Sequence, residues 1–271
     1  MPLHAGRPVV ARRSRSQFEN LRLWVGAAVL TFAAHSRPTQ SQSMGAPQSD
    51  RRPTVAVMYF TNGALVQHNE CEPLTKGVAG VLTEELRAND SIRVVEREYL
   101  QQILEEQKLT TTKQVDPSTA VQIGKLLGAR YMIFGGFLVD MKGQMRITAR
   151  AVNVETSETE HVESVQDKAD NVLTMLATLA QKMNKGMRLP ALPVRARPSG
   201  GAGSAATGTL DDLRRWARAT DARDVATVAR DTATTQRAIA LYKEFLSKAP
   251  VTMVAQRNDA EKKIVELARG M

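Results

Sequence analysis

The sequence predicts an α/β fold, a mixed sheet flanked by helices in the order β-α-β-α-α-β-β-β-α, followed by a small all-helical C-terminal segment. Three observations carry this. Compact runs rich in β-formers, such as "TVAVMYF" (54–60), alternate early in the chain with stretches whose apolar residues recur every three or four positions. Later, three strand-like runs follow each other across short turns, as in an antiparallel meander. Beyond residue 209 only helical periodicity remains.

Taken in order, 54–60 reads as a buried strand ended by "TNG", and "NGALVQHNECEP" (62–73) as a polar loop. From Pro73, the stripe Leu74, Val78, Leu82, Leu86, with Val81 beside it, marks a helix whose Lys76, Glu84, Glu85 and Arg87 face water. "SIRVVER" (91–97) reads as a second strand, and Tyr99, Leu100, Ile103, Leu104 and Gln107 as one face of the next helix. The charged knot Glu96-Arg97-Glu98 falls at the changeover. Carboxylates at a helix start are favoured by the exposed amides and the macrodipole, by about 0.3–1 kcal/mol each, so a structural corner explains the knot. Arg97 then pairs with a neighbouring Glu or with a third carboxylate. As an exposed corner, the knot is also a candidate contact between subunits.

"TTTKQV" (110–115) reads as a loop. In "DPSTAVQIGKLLGA" (116–129), Asp116 is the N-cap, Pro117 the first helical residue and Gly128 the stop. "RYMIFGGFLVD" (130–140) is an apolar strand in which Gly135-Gly136 signals a bulge or a close backbone approach. A tight turn at Lys142-Gly143 leads into "QMRITARAVNVET" (144–156), whose alternation slips near Ala151 and so predicts a bulge. "TSET" reverses the chain into "EHVESVQ" (160–166), and Val172, Leu176, Leu179 and Met183 line a closing helix.

The boundaries follow: a leader at 1–43, a spacer at 44–52, the α/β domain at 53–189, a Pro/Gly/Ala linker at 190–209 and a helical tail at 210–271. The tail contains "AIALYKEFLSKAP", whose Ala-x-x-x-Tyr core and closing Pro resemble a degenerate tetratricopeptide unit over 238–267. One such unit cannot bury its own face, so it packs on the domain, on itself or on a partner.

In the leader, Arg7, Arg12, Arg13, Arg15 and Arg22 precede the uncharged run "LWVGAAVLTFAA" (23–34). That run is below the roughly 20 residues of a membrane span and within the range of about 7–15 for a signal-peptide core. Export with cleavage between Ala34 and Gln48 is the expectation, and a start at Met44 is the alternative, which would leave the protein cytoplasmic. The mature chain is expected to carry no transmembrane span.

Charge and composition restrict function. The net charge of +9 would suggest a nucleic-acid partner, but residues 53–189 hold 15 basic against 17 acidic residues, so nucleic acid is rejected. Cys71 is the sole cysteine, flanked by Glu70 and Glu72, and reads as a bystander thiol. His4 and His35 fall in the leader, His68 in a loop and His161 on a strand, with no metal-ligand spacing and no nucleotide-binding glycine loop. Glu105 and Glu106 are adjacent on a helix and point in different directions, so they form no carboxylate dyad. No catalytic, cofactor-binding or metal-binding residue is assigned, no cofactor is expected, and the chain is expected not to be an enzyme.

With the elements placed, "VAVMYF", "VVEREYLQQILEEQKL" and "IGKLLGARYMIFGGF" together resemble the curli production assembly/transport component (CsgG-like) family and the related TolB-amino-terminal-like periplasmic domains, over residues 53 to about 188. The matching pieces are the Val-Val-Glu-Arg strand end, the Leu-Glu-Glu-Gln stretch through Glu106 and Gln107, and the Leu-Gly-Ala-x-Tyr entry into a strand reaching Gly135. These residues, with Glu96, Arg97 and Glu98, form the candidate interface set. The resemblance implies a non-catalytic cell-envelope protein, periplasmic or associated with the outer membrane, with protein partners and frequent self-association. It departs from pore-forming members in lacking a lipid-bearing Cys and long membrane hairpins. The reading is therefore a relative that assists or scaffolds without forming the channel. The alternative is a regulatory adaptor that binds an envelope enzyme or lipoprotein through the helical tail.

Overall fold

The computed structural model describes residues 52–107, 116–189 and 208–270. The leader, nearly all of the spacer, the loop at 110–115 and the linker up to residue 207 lie outside the described residues. The described residues belong to one compact unit.

Strand β1 (Thr54–Asn62) is followed by the one-turn α1 (His68–Cys71) and by α2 (Leu74–Arg87). Then come β2 (Arg93–Val94), α3 (Arg97–Glu106), α4 (Pro117–Leu127) and three strands, β3 (Tyr131–Val139), β4 (Gln144–Asn153) and β5 (Thr159–Lys168). A 3-10 turn (Ala169–Asn171) leads into α5 (Val172–Gly186), and α6 (Leu210–Ala229), α7 (Thr232–Lys248) and α8 (Val254–Arg269) complete the chain. The sheet order is β2-β1-β3-β4-β5, with β1 parallel to both β2 and β3 and the remaining pairs antiparallel. The fold class is the one the sequence predicts.

From β1 the chain crosses to β2 on one side and then returns past β1 to β3. Right-handed crossovers in opposite directions put α2 on one face of the sheet and α3 with α4 on the other. Helix α5 lies against β5 and beside α2. Local signals act where they were read. Asp116 accepts from the Thr119 N–H at 2.9 Å, and Gly128 ends α4 at φ 61°. The register between β4 and β5 shifts at Ala151/Val152. At Gly135 a Cβ would lie 1.9 Å from the Thr148 carbonyl oxygen, so only glycine fits that crossing.

Three expectations change. The second strand shrinks to two residues, because α3 already begins at Arg97 with Glu96 in the N-cap position. The loop at 62–73 contains the turn α1, which buries Cys71 completely. Lys76, expected in water, has a side chain only 14% exposed, because a second face of α2, through Gly77, Ala79 and Gly80, is also covered.

Candidate functional site

What covers that second face is the C-terminal segment. Helices α2 and α3 both begin at the C-terminal ends of parallel strands, where open α/β sheets present their crevice. A register shift in β1 between Val57 and Phe60 takes Tyr59 out of regular pairing. Its ring is buried, its hydroxyl donates to Gln101 Oε1 at 2.6 Å, and Lys76 and Arg97 stand 5.6 and 5.9 Å from its centre.

Both cations are met by α6. Lys76 Nζ donates to Asp221 Oδ1 at 2.6 Å and to Asp224 Oδ2 at 3.0 Å, and Arg97 Nη2 donates to the same Asp224 oxygen. Next along α3, Glu98 accepts from Lys263 Nζ of α8 at 2.9 Å and pairs with Arg223 Nη1 of α6 at 3.0 Å. Glu96 instead meets Arg87 at 3.0 Å. Of the partners open to Arg97, a neighbouring Glu or a third carboxylate, the structure gives the third carboxylate, Asp224, 127 positions away.

Titration follows from these partners. Burial works against the charge of Arg97, but Asp224 and the Tyr59 oxygen hold its pKa above the ordinary guanidinium value. Burial likewise opposes the Lys76 charge, and Asp224 and Asp221 overcome it, leaving the pKa raised. Glu98 is pushed upward by burial, yet its bond from Lys263, helped by Arg223, brings it down to about 2. Asp259 moves the other way: burial raises it despite the 3.1 Å bond it accepts from Trp216 Nε1.

The approach of α6 depends on missing side chains. A Cβ on Gly77 would stand 2.8 Å from Ala217 Cβ, and one on Gly80 2.6 Å from Trp216 Cη2. Trp216, Leu213, Tyr242 and Phe245 are buried in the same apolar cluster as the sheet. Arg214 of α6 reaches Cys71, donating to its Sγ at 3.0 Å and to Gln67 Oε1 at 2.9 Å. The thiol therefore does have a basic neighbour, one that no local reading could supply.

The structure brings Arg97 and Glu98 to this corner and leaves Glu96 beside it. Glu106 is exposed in the last turn of α3, about 14 Å along the helix from Arg97 at 1.5 Å per residue. Gln107 caps that helix through its backbone, and Gly135 lies within β3. Sequence reading missed Tyr59, Lys76, Asp224 and Trp216. The detectable signal was the pair Gly77 and Gly80, spaced to clear one face of an otherwise well-formed helix. His161 lies 3.7 Å from Glu163, with its ring against Gly186. Among the described residues no group of three His, Cys, Asp or Glu is placed to hold a metal, and no helix is long and apolar enough to cross a membrane.

No curated protein matches the chain. The LpoB C-terminal domain from Salmonella enterica matches at 16% identity and TM-score 0.34, covering 43% of this chain and 83% of that one. TolB from Acinetobacter baumannii matches at 11% identity and TM-score 0.35, covering 51% and 28%. The PelC dodecamer from Paraburkholderia phytofirmans matches at 10% identity and TM-score 0.34, covering 52% and 90%. Residues 34–139, from the end of the leader's apolar run through β3, match the family described as "Curli production assembly/transport component CsgG", the likeness to which the motifs from Val94 to Gly135 pointed.

Proposed function

We propose that this chain is a non-enzymatic component of cell-envelope assembly or transport that acts in the periplasm by binding other proteins. The observation that carries the reading is the CsgG match across residues 34–139. The corner geometry supports it. Lys76, Arg97 and Asp224, with side chains 9–16% exposed, neutralise one another between elements of one chain, an arrangement suited to holding a body together. The β3–β4 connection is a tight turn in which Asp140 Oδ1 accepts from the N–H groups of Lys142 and Gln144. This favours a scaffolding or assisting role over a channel built from those strands.

A second reading, an adaptor that binds an envelope enzyme or lipoprotein through the tail, gains from one observation. Val225, Val228, Val251 and Val254 are 52–78% exposed on or between α6, α7 and α8.

Cell fractionation with N-terminal sequencing of the mature protein tests the shared part of both readings. A soluble periplasmic or outer-membrane-associated product, cleaved between Ala34 and Gln48, is expected; an intact leader in the cytosol would end both. Alanine at Val225 and Val251 separates them, because only the adaptor loses its partner.

A further inference from the structure

Cross-strand register sorts the antiparallel half of the sheet into rows. Leu138 pairs with Arg146 and Arg146 with Gln166; Gly136 pairs with Thr148 and Thr148 with Ser164; Phe134 pairs with Arg150 and Arg150 with Val162. Directly opposed residues share a face. Glu163 and His161, of the other parity on β5, meet Lys182 and Gly186 of α5, so these three rows project from the opposite side of the sheet. Arg146 and Arg150 are exposed there, Val162 is 51% exposed and Leu138 40%.

The three rows contain two arginines and no acid. Arg146 is held by Gln166 Oε1 at 2.7 Å, a neutral partner, and among the described residues neither arginine has an ion pair. The contrast with Arg97 is direct. By composition, residues 1–51, 108–115 and 190–207 each carry more Arg and Lys than Asp and Glu.

The complementary surface is the outer side of α3. Tyr99 is 46% exposed, and Gln102, Glu105 and Glu106 are exposed beside it. Two carboxylates in the last helical turn face the negative end of the macrodipole, with no basic residue in that turn, and Glu105 is met by the neutral Gln101 at 2.7 Å. A cationic partner surface would relieve that local cost. The lengths agree as well: Tyr99 to Glu106 spans about 10 Å of helix, and Arg146 to Arg150 about 13 Å of strand.

We propose that the β3–β4–β5 face binds α3 of a second copy of this chain, with the Tyr99 ring over Val162 in the Arg150 row and Glu105 and Glu106 one helix length further on, between the guanidinium groups of Arg146 and Arg150. The inference rests on the assembly reading and gives it a contact surface. Because the two patches differ, the contact is head-to-tail and propagates to a closed ring or an open filament.

The test uses the full mature chain, light scattering and sedimentation velocity over a range of concentrations. Wild type is expected to be a multiple of the monomer mass, dissociating with added salt. R146E/R150E and E105R/E106R are each expected to weaken assembly by more than about tenfold while keeping the wild-type circular dichroism. Mixing the two variants in equal amounts should restore the oligomer, because every contact in an alternating array is again complementary. That rescue also excludes misfolding as the cause of the loss. A monomeric wild type, an oligomer indifferent to both reversals, or failure of the mixture to reassemble would overturn the proposal. A periplasmic monomer would leave the envelope reading standing, whereas a cytosolic oligomer would remove that reading and keep the contact.

Discussion

Two arginine-bearing regions of this molecule behave oppositely. At the corner, Arg97 and Lys76 are drawn under α6 and share the carboxylate of Asp224, which is 9% exposed, whereas on the open sheet face Arg146 and Arg150 are exposed and make no ion pair among the described residues. The difference teaches that charge in this chain has two uses. Cations with a remote internal counter-ion fasten the C-terminal helices to the sheet domain. Cations without one add little to folding and remain free for a partner.

The largest test of that contrast is Asp224→Ala. It strands the Arg97 guanidinium and leaves Lys76 with Asp221 alone, and a loss of about 3–5 kcal/mol in urea denaturation is expected. Gly80→Val sharpens the steric half of the argument. Its side chain must displace the Trp216 ring, which would lie 2.6 Å from the new Cβ, and about 1–3 kcal/mol should be lost. Smaller still is the pH effect of Glu98. Its folded pKa, about 2, lies below the unfolded carboxylate value. The stability it contributes is therefore present above the unfolded value near 4.3 and disappears as pH falls from there through 2. With that side chain 39% exposed, solvent screening holds the contribution below about 1 kcal/mol. Glu98→Gln should flatten that limb of the acid-stability curve, and an unchanged limb would remove Glu98 from the account. Smallest of all, Arg150→Ala on the open face should leave monomer stability within about 0.5 kcal/mol.

Much of the sheet domain was legible because its signals are local. Asp116, Gly128 and the slip of alternation at Ala151 each act within a few residues, and each produced the cap, stop or bulge expected of it. Gly135 was legible too, since a glycine inside an apolar strand implies a close crossing. The second strand was read too long because "VVER" has strand composition, but the helix start at Arg97 prevails over the last of its residues. The corner was illegible for a different reason. Its contacts join distant residues, such as Lys76 with Asp224, 148 positions apart, and Glu98 with Lys263, 165 apart, and no periodicity encodes a partner at that distance. Lys76 consequently looked like a solvated helix residue. Arg97 came closest, since a third carboxylate was one of the two partners its position allowed, although neither the choice nor the identity of that carboxylate was readable.

The central claim is that the C-terminal helices are fastened to the sheet domain of the same chain through the Arg97–Asp224 pair. A double-mutant cycle of Arg97→Leu and Asp224→Leu, measured by urea denaturation, tests it most directly. Each single change should destabilise by several kcal/mol while the double change costs less than their sum by more than about 1 kcal/mol. Losses that add within about 0.5 kcal/mol would mean that the two side chains do not interact in solution, and the fastening would have to lie elsewhere.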